Sequence, residues 1–208
     1  MFTGIVQGVG TVTASEQGGE VTELTIRLPE QRGASSDLEV GGSVALDGVC
    51  LTATSVNGDS VTFDLVQETL RRTTLGARSV GSRVNVERAM RYGDEVGGHL
   101  LSGHVIATAE VASAESSAET AELFIRAPSE LAPYIIEKGF IAVDGISLTI
   151  GEVDGDGGFS LHIIPETLRQ TTLGSKVEGN RVNIEIDSMT QVMVESVQRY
   201  MRTSEDSA

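Results

Sequence analysis

Glu68-Thr69-Leu70-Arg71-Arg72-Thr73-Thr74-Leu75-Gly76 returns as Glu166-Thr167-Leu168-Arg169-Gln170-Thr171-Thr172-Leu173-Gly174, with eight of nine positions identical. Two further blocks repeat around it. Asp47-Gly48-Val49-Cys50-Leu51-Thr52 matches Asp144-Gly145-Ile146-Ser147-Leu148-Thr149, and Gly81-Ser82-Arg83-Val84-Asn85-Val86-Glu87 matches Gly179-Asn180-Arg181-Val182-Asn183-Ile184-Glu185. A weaker match sets Phe2-Thr3-Gly4-Ile5-Val6 over Leu101-Ser102-Gly103-His104-Val105. The repeating unit is therefore about half the chain, and two domain-sized copies are not a solenoid, whose units are shorter and more numerous. Such a duplication serves stability alone, two equivalent ligands, or one ligand in a shared cleft.

Each unit reads as short strands. Val21–Leu28 alternates apolar and polar residues, and Ser43–Leu46, Val49–Ser55, Val61–Val66 and Arg83–Val86 follow. In the second unit the equivalents are Glu122–Ile125, Phe140–Val143, Ile146–Ile150, Phe159–Ile164 and Arg181–Ile186. Asp47-Gly48, Asn57-Gly58 and the run from Asp154 to Gly158 are turn signals. About six short strands per unit predict a small antiparallel barrel, whose closure removes exposed edges. The Glu-Thr-Leu-Arg block predicts one helical turn ending at glycine, and Pro128–Ile136 a second short helix. After Asp187, the spacing of Met189, Val192, Met193, Val197, Tyr200 and Met201 predicts an amphipathic helix outside both repeats. It must cover its own barrel or pair with other chains. Thr203–Ala208 reads as a frayed polar tail. The divisions expected are 1–97, 98–187 and 188–208.

The 208 residues carry 15 Lys+Arg against 30 Asp+Glu, a net charge of −15. That balance argues against nucleic acid and anionic membrane surfaces as partners. No run approaches the ~20 apolar residues of a membrane span. The N-terminus shows no basic segment followed by an apolar stretch, so no signal peptide is visible, and the single cysteine fits a reducing cytoplasm. A single cysteine, Cys50, leaves no disulfide framework and no multi-cysteine metal site. With no Trp, a flat ligand would be held by strand edges and aliphatic side chains.

Met1-Phe2-Thr3-Gly4-Ile5-Val6, Gly97-Gly98-His99-Leu100-Leu101-Ser102-Gly103-His104, Lys138-Gly139-Phe140, Asp144-Gly145-Ile146-Ser147-Leu148-Thr149, Pro165-Glu166-Thr167-Leu168 and Asn183-Ile184-Glu185-Ile186-Asp187 together resemble the riboflavin synthase family of the alpha-chain type. The resemblance runs from residue 1 to about residue 200. It implies a mainly β fold of two tandem six-stranded Greek-key antiparallel barrels related by pseudo-twofold symmetry, plus a C-terminal α-helix that joins three chains. It implies dismutation of two 6,7-dimethyl-8-ribityllumazine molecules to riboflavin and 5-amino-6-ribitylaminouracil by four-carbon transfer, without cofactor or metal. Each site would lie between the first barrel of one chain and the second barrel of a neighbour, with two substrate molecules per site. Association with lumazine synthase is a further partner this resemblance raises.

A lumazine offers a uracil-like edge, a polyol and an acidic C7 methyl. By resemblance, the backbones of Gly4, Ile5 and Val6 and of Gly103, His104 and Val105, at equivalent strand starts, meet the ligand. Ser43, Leu51 and Thr52, with Leu148 and Thr149, are expected to contact it, and Cys50 and Ser147 to point into the pocket. Asp64, Leu65, Val66, Gln67, Glu68 and Thr69, with His162, Ile163, Ile164, Pro165, Glu166 and Thr167, form the two ribityl-binding stretches. Lys138 resembles a ligand-contacting lysine. For Cys50 the competing reading is an inert buried thiol, for Glu68 and Glu166 a helix-start carboxylate, for Lys138 a solvated helix-end cation, and for Asp187 a helix N-cap. His99 reads as structural or as support for the site. All three histidines, His99, His104 and His162, fall in the second half, so the halves are alike in shape and unlike in chemistry. The expected acid–base set is Ser147, His104 and Asp187 near the reacting centre, with Cys50 and Thr52 from the partner barrel.

Two rivals follow from the same residues. A non-catalytic lumazine- or flavin-binding protein would share the fold but lose polar residues in one half, which this chain keeps. A flavin oxidoreductase domain would need a nicotinamide-binding unit, and no glycine-rich dinucleotide motif is present.

Overall fold

A computed structural model describes residues 1–30, 34–35, 37–117 and 119–205. In the first repeat, β1 (Gly8–Gly18), β2 (Val21–Arg27), β3 (Ser43–Leu46), β4 (Val49–Asn57), β5 (Ser60–Val66) and β6 (Arg83–Arg88) form a closed antiparallel barrel in the order β1-β2-β5-β4-β3-β6. The second repeat supplies β7 (Ala107–Ser116), β8 (Ala121–Arg126), β9 (Phe140–Val143), β10 (Ile146–Thr149), β11 (Gly158–Ile163) and β12 (Arg181–Ile186), ordered β10-β9-β12-β7-β8-β11. Beyond β10 the chain continues this sheet irregularly towards β11. Gly151 N donates to Ser160 O and Ser160 N to Glu152 O, each at 2.9 Å.

Alternation marks β2, β5, β6 and β12 most clearly, whereas the short β3 and β9 are almost wholly apolar and β1 and β7 lack a clear apolar period. β1 opens on Gly8-Val9-Gly10, and β7 is rich in small and polar residues. Each also carries a register shift, at Val12/Ala14 and at Val111/Ser113, which breaks the period of two. Asp47-Gly48 and Asp144-Gly145 make two-residue hairpin turns with positive φ at all four residues (44° and 81°, 46° and 78°), the geometry that suits strongly twisted hairpins.

The helix expected to end at glycine stops earlier. α1 (Gln67–Arg72) and α2 (Pro165–Gln170) each end before a threonine pair, and Gly76 and Gly174 lie in the following 3₁₀ turns. There the Thr73 and Thr171 hydroxyls donate back to the carbonyls of Thr69 and Thr167, each at 2.7 Å. Pro128–Ile136 is likewise a 3₁₀ segment, Ser129–Tyr134, containing Pro133. The terminal helix α3 runs over Ser188–Glu205, so Thr203 and Ser204 are helical rather than a frayed tail, and residues 206–208 lie outside the described ones. Thr203 Oγ1 and Ser204 Oγ each donate to Tyr200 O at 2.9 Å.

Each barrel encloses its own apolar core, centred on Phe63 in one and Phe159 in the other, both fully buried. The seam between barrels joins a small apolar cluster, Phe2, Ala45, Leu101 and Ala142, to side-chain hydrogen bonds that follow a pseudo-twofold. Asn85 Nδ2 donates to Asp144 O at 2.9 Å, and Asn183 Nδ2 to Asp47 O at 2.8 Å. Asn85 Oδ1 accepts from Thr172 N, and Asn183 Oδ1 from Thr74 N, both at 2.8 Å. Beneath these bonds, buried Asp47 pairs with Arg78 at 2.6 Å and buried Asp144 with Lys176 at 2.5 Å. Gly48 and Gly145 meet across the seam so closely that a Cβ on either would lie 2.7 Å from the other's backbone nitrogen.

The face of α3 formed by Met189, Val192, Met193, Val197, Tyr200 and Met201 is exposed throughout, each residue 58–74% accessible. It does not cover the chain's own barrel.

Candidate active site

Two leading segments decide the sites. Gly4-Ile5-Val6 and Gly103-His104-Val105 are not strand starts, as their sequence suggested. β1 begins at Gly8 and β7 at Ala107. Gly4 and Gly103 hold φ of +74° and +79°, a left-handed bend that glycine takes without strain and that removes the segments from the ladder. Phe2 and Leu101 pair with each other through Phe2 N to Leu101 O at 2.8 Å and Leu101 N to Phe2 O at 3.0 Å. Past this bridge the segments cross. Ser147 N donates to Gly4 O, and Cys50 N to Gly103 O, both at 2.9 Å. Val6, from the first repeat, is buried in the core of the second barrel, and Val105 packs against the core of the first.

The crossing regroups the expected residues. On the first barrel, partly exposed Cys50 sits against Gly103, with Thr52 exposed further along β4 and paired with Ser43 on β3. His104, the residue after Gly103, is exposed, and its backbone N donates to Ser102 Oγ at 3.1 Å. On the second barrel, Ser147 lies against Gly4 and Gly98, and Ile5 is exposed beside Gly97. Within one chain, His104 and Ser147 therefore lie in different groups. His104 belongs with Cys50, because its segment crosses to the first barrel.

The histidine at Ser147 is His99. Its Nδ1 lies 2.6 Å from Ser147 Oγ, and its ring stacks on Phe140 with centroids 5.1 Å apart. His99 is buried, and its Nε2 has no hydrogen-bond partner among the described residues. Burial pushes its pKa down, and the negative charge of Asp187 opposes that shift. A neutral imidazole bonded to a hydroxyl is a competent proton acceptor. The pairing could not be read from local spacing, because Ser147 is 48 residues from His99.

Asp187 does cap α3. Its Oδ2 accepts from Thr190 N and Oγ1, both at 2.8 Å. Lys138 is exposed in a turn at φ +64°, not at a helix end, and its N donates to Ile150 O. In the ribityl stretches, Asp64 and Val66, like His162 and Ile164, are exposed, whereas Leu65 and Ile163 point into the barrel cores. Leu51 is also a core residue, and Leu148 packs against the core of the second barrel. Leu51, Leu65 and Ile163 can meet a ligand only through their backbones, whereas Leu148 is half-buried. Gln67 is exposed and Thr69 half-buried at the start of α1, as Pro165 and Thr167 are half-buried in α2. Glu68 pairs with Arg71 and Arg72, and Glu166 with Arg169, so both carboxylates serve their own helices.

A cavity of about 470 Å³ lies beside this stretch in the second barrel, lined by Glu115, Ser117, Glu122, His162 and Ile164 among others. A cavity of about 480 Å³ lies over Thr3, Ile5, Gln7, Glu87 and Gly97, beside the leading segment of the first repeat.

Comparison with known proteins accords with this duplicated architecture. The profile of the lumazine binding domain matches twice, at residues 3–89 and 102–187. The riboflavin synthase of Escherichia coli (strain K12) is 48% identical over 207 residues, covering 99% of this chain and 96% of that protein. That of Chlamydia pneumoniae is 48% identical over 212 residues, covering 98% of each. Among solved structures, LumP complexed with riboflavin superposes with a TM-score of 0.83 at 26% identity, over 90% of this chain and 100% of that one. LumP complexed with 6,7-dimethyl-8-(1'-D-ribityl) lumazine gives 0.81. With two lumazine-binding domains in tandem and this identity along almost its full length, the chain belongs to the riboflavin synthase family.

Proposed function

We propose that the chain dismutates two molecules of 6,7-dimethyl-8-ribityllumazine, passing a four-carbon unit from one to the other to give riboflavin and 5-amino-6-ribitylaminouracil. The observation that carries the reading is the crossed pair of leading segments, Gly4 against Ser147 and Gly103 against Cys50. One frame is built twice, with Cys50, Thr52, Asp64 and His104 at one copy and Ser147, Thr149, His162, His99 and Asp187 at the other. Two like ligands in unlike surroundings suit a reaction in which one molecule donates and its twin accepts. Holding two rings face to face replaces a bimolecular encounter, and well-oriented pairs reach effective molarities of ~10⁵ M or more.

In this reading the uracil-like edges meet the backbones of Gly4 to Val6 and Gly103 to Val105. The polyols lie along Asp64 to Thr69 and His162 to Thr167, and Lys138 contacts the ligand of the second pocket. Neutral His99, through the Ser147 hydroxyl, accepts the C7-methyl proton, and Cys50 and His104 serve the ring in the opposing pocket. Identity to riboflavin synthases near one half, against about one quarter to LumP, supports the enzyme over a non-catalytic binder. The exposed apolar face of α3 supports self-association, in this reading of three chains, so that the first pocket of one protomer faces the second pocket of another. Attachment to lumazine synthase belongs to the same proposal.

The test is conversion without added metal or cofactor. Two lumazines should disappear per riboflavin formed, at equal rates with and without a chelator. Lumazine that binds and stays unconverted refutes catalysis.

A further inference from the structure

Glu87 and Glu185 are buried carboxylates at the ends of β6 and β12, each about 5% accessible. Neither was singled out as a functional residue by its sequence, and neither pairs with a cation in any described ion pair. Each spends its oxygens on one leading segment. Glu87 Oε1 accepts from Thr3 N at 2.7 Å and Thr3 Oγ1 at 2.8 Å, and Oε2 accepts from Gly4 N at 3.1 Å. Glu185 Oε1 accepts from Ser102 N and Ser102 Oγ, both at 2.7 Å, and Oε2 accepts from Gly103 N at 3.1 Å. The two clasps are the same device built twice, down to the hydroxyl at Thr3 and Ser102. Burial pushes the Glu87 carboxyl up, and the Thr3 and Gly4 bonds pull against that shift, so the segment is what holds the charge in the interior.

What each clasp controls lies on the other barrel. The carbonyl of Gly4, one peptide beyond the Glu87 contacts, accepts from Ser147 N, and that of Gly103, beyond the Glu185 contacts, accepts from Cys50 N. We infer that Glu87 and Glu185 are crossed positioning residues. Glu185 on the second barrel sets the ligand-facing backbone of the first pocket, and Glu87 on the first barrel sets that of the second pocket. The inference rests on the two-pocket reading above and adds to it which residue serves which pocket. A carboxylate suits this role because it accepts two backbone N–H groups and a hydroxyl together, and charged acceptors make the stronger bonds. An amide of the same shape keeps one acceptor oxygen and turns an N–H₂ towards donors.

The experiment uses the full chain and a 7-oxo-8-ribityllumazine, which has no C7 methyl to deprotonate. Calorimetry counts the sites, and protection of Cys50, the single cysteine, from alkylation reports the first pocket alone. Glu185→Gln should raise the ligand concentration needed to protect Cys50 by about tenfold, roughly the worth of one charged hydrogen bond, while one calorimetric site keeps its original affinity. Glu87→Gln should leave Cys50 protection unchanged and weaken the other site by about the same factor. Ser102→Ala and Thr3→Val, which remove only the hydroxyl bond, should reproduce each pattern more weakly. They decide the matter if a glutamine variant fails to fold. Equal weakening of both sites in every variant, in step with the unfolding midpoint, would reduce the clasps to scaffolding and overturn the inference. Unaltered binding in all four variants would overturn it as well. If the unsubstituted chain binds no analogue and makes no riboflavin, the proposed function has failed instead.

Discussion

Asn183→Ala tests how much of the seam's stability its side-chain hydrogen bonds supply beside the apolar cluster of Phe2, Ala45, Leu101 and Ala142. Asn183 is 1% accessible, and its amide bonds across the seam through both its oxygen and its nitrogen. Oδ1 accepts from Thr74 N at 2.8 Å and Nδ2 donates to Asp47 O at 2.8 Å. Alanine leaves one donor and one acceptor buried without partners. Each such group costs about 1–3 kcal/mol, so a total loss near 3 kcal/mol is expected. For a domain pair of this size, 1 kcal/mol moves the melting temperature by about 2–4 °C, which places the expected drop at roughly 6–12 °C. Urea titration at one fixed protein concentration is the assay, since subunit association would otherwise enter the measured stability. Asn85→Ala should cost about the same, because Asn85 bonds to Thr172 N and Asp144 O in the same way. Asn180→Ala is the control. Its Oδ1 caps only a local turn, accepting from Val177 N at 3.1 Å, and its loss should stay below about 1 kcal/mol. A seam variant no less stable than the Asn180 control would show that water or local relaxation satisfies the orphaned groups, and the argument would fall.

Two other outcomes follow from the site and the terminal helix. Burial lowers the His99 pKa, so the unfolded chain takes up that proton first, and stability should fall as pH drops from about 6.5 towards the lower folded-state value; His99→Gln should flatten this slope in denaturant titrations across that range and cut turnover by about 10²–10⁴-fold. Val197→Glu puts a charge on the exposed apolar face of α3 and should convert the proposed assembly to single chains in sedimentation while far-ultraviolet circular dichroism stays unchanged; sedimentation equal to that of the unsubstituted chain would mean that α3 does not join subunits.

The Asp-Gly turns, the alternation in β2, β5 and β6 and the recurrence of Glu-Thr-Leu-Arg are local signals. They sufficed for the tandem barrels, because a hairpin turn and a period of two involve only neighbouring residues. Asp187 as a helix cap was legible for the same reason, its partner Thr190 lying three residues on. The site was legible as a set of residues but not as a grouping. Nothing in Met1 to Val6 says that these residues leave their own repeat, and the bend at Gly4 is held by Glu87, 83 residues away. His99 waits on Ser147 across 48 residues, and His104 joins Cys50 only because its segment crosses. Short-range patterning along the chain determined the two barrels and the terminal helix. Which side chains share a pocket was decided by the pseudo-twofold packing, since only there do hydrogen bonds between distant segments outcompete the continuation of a strand.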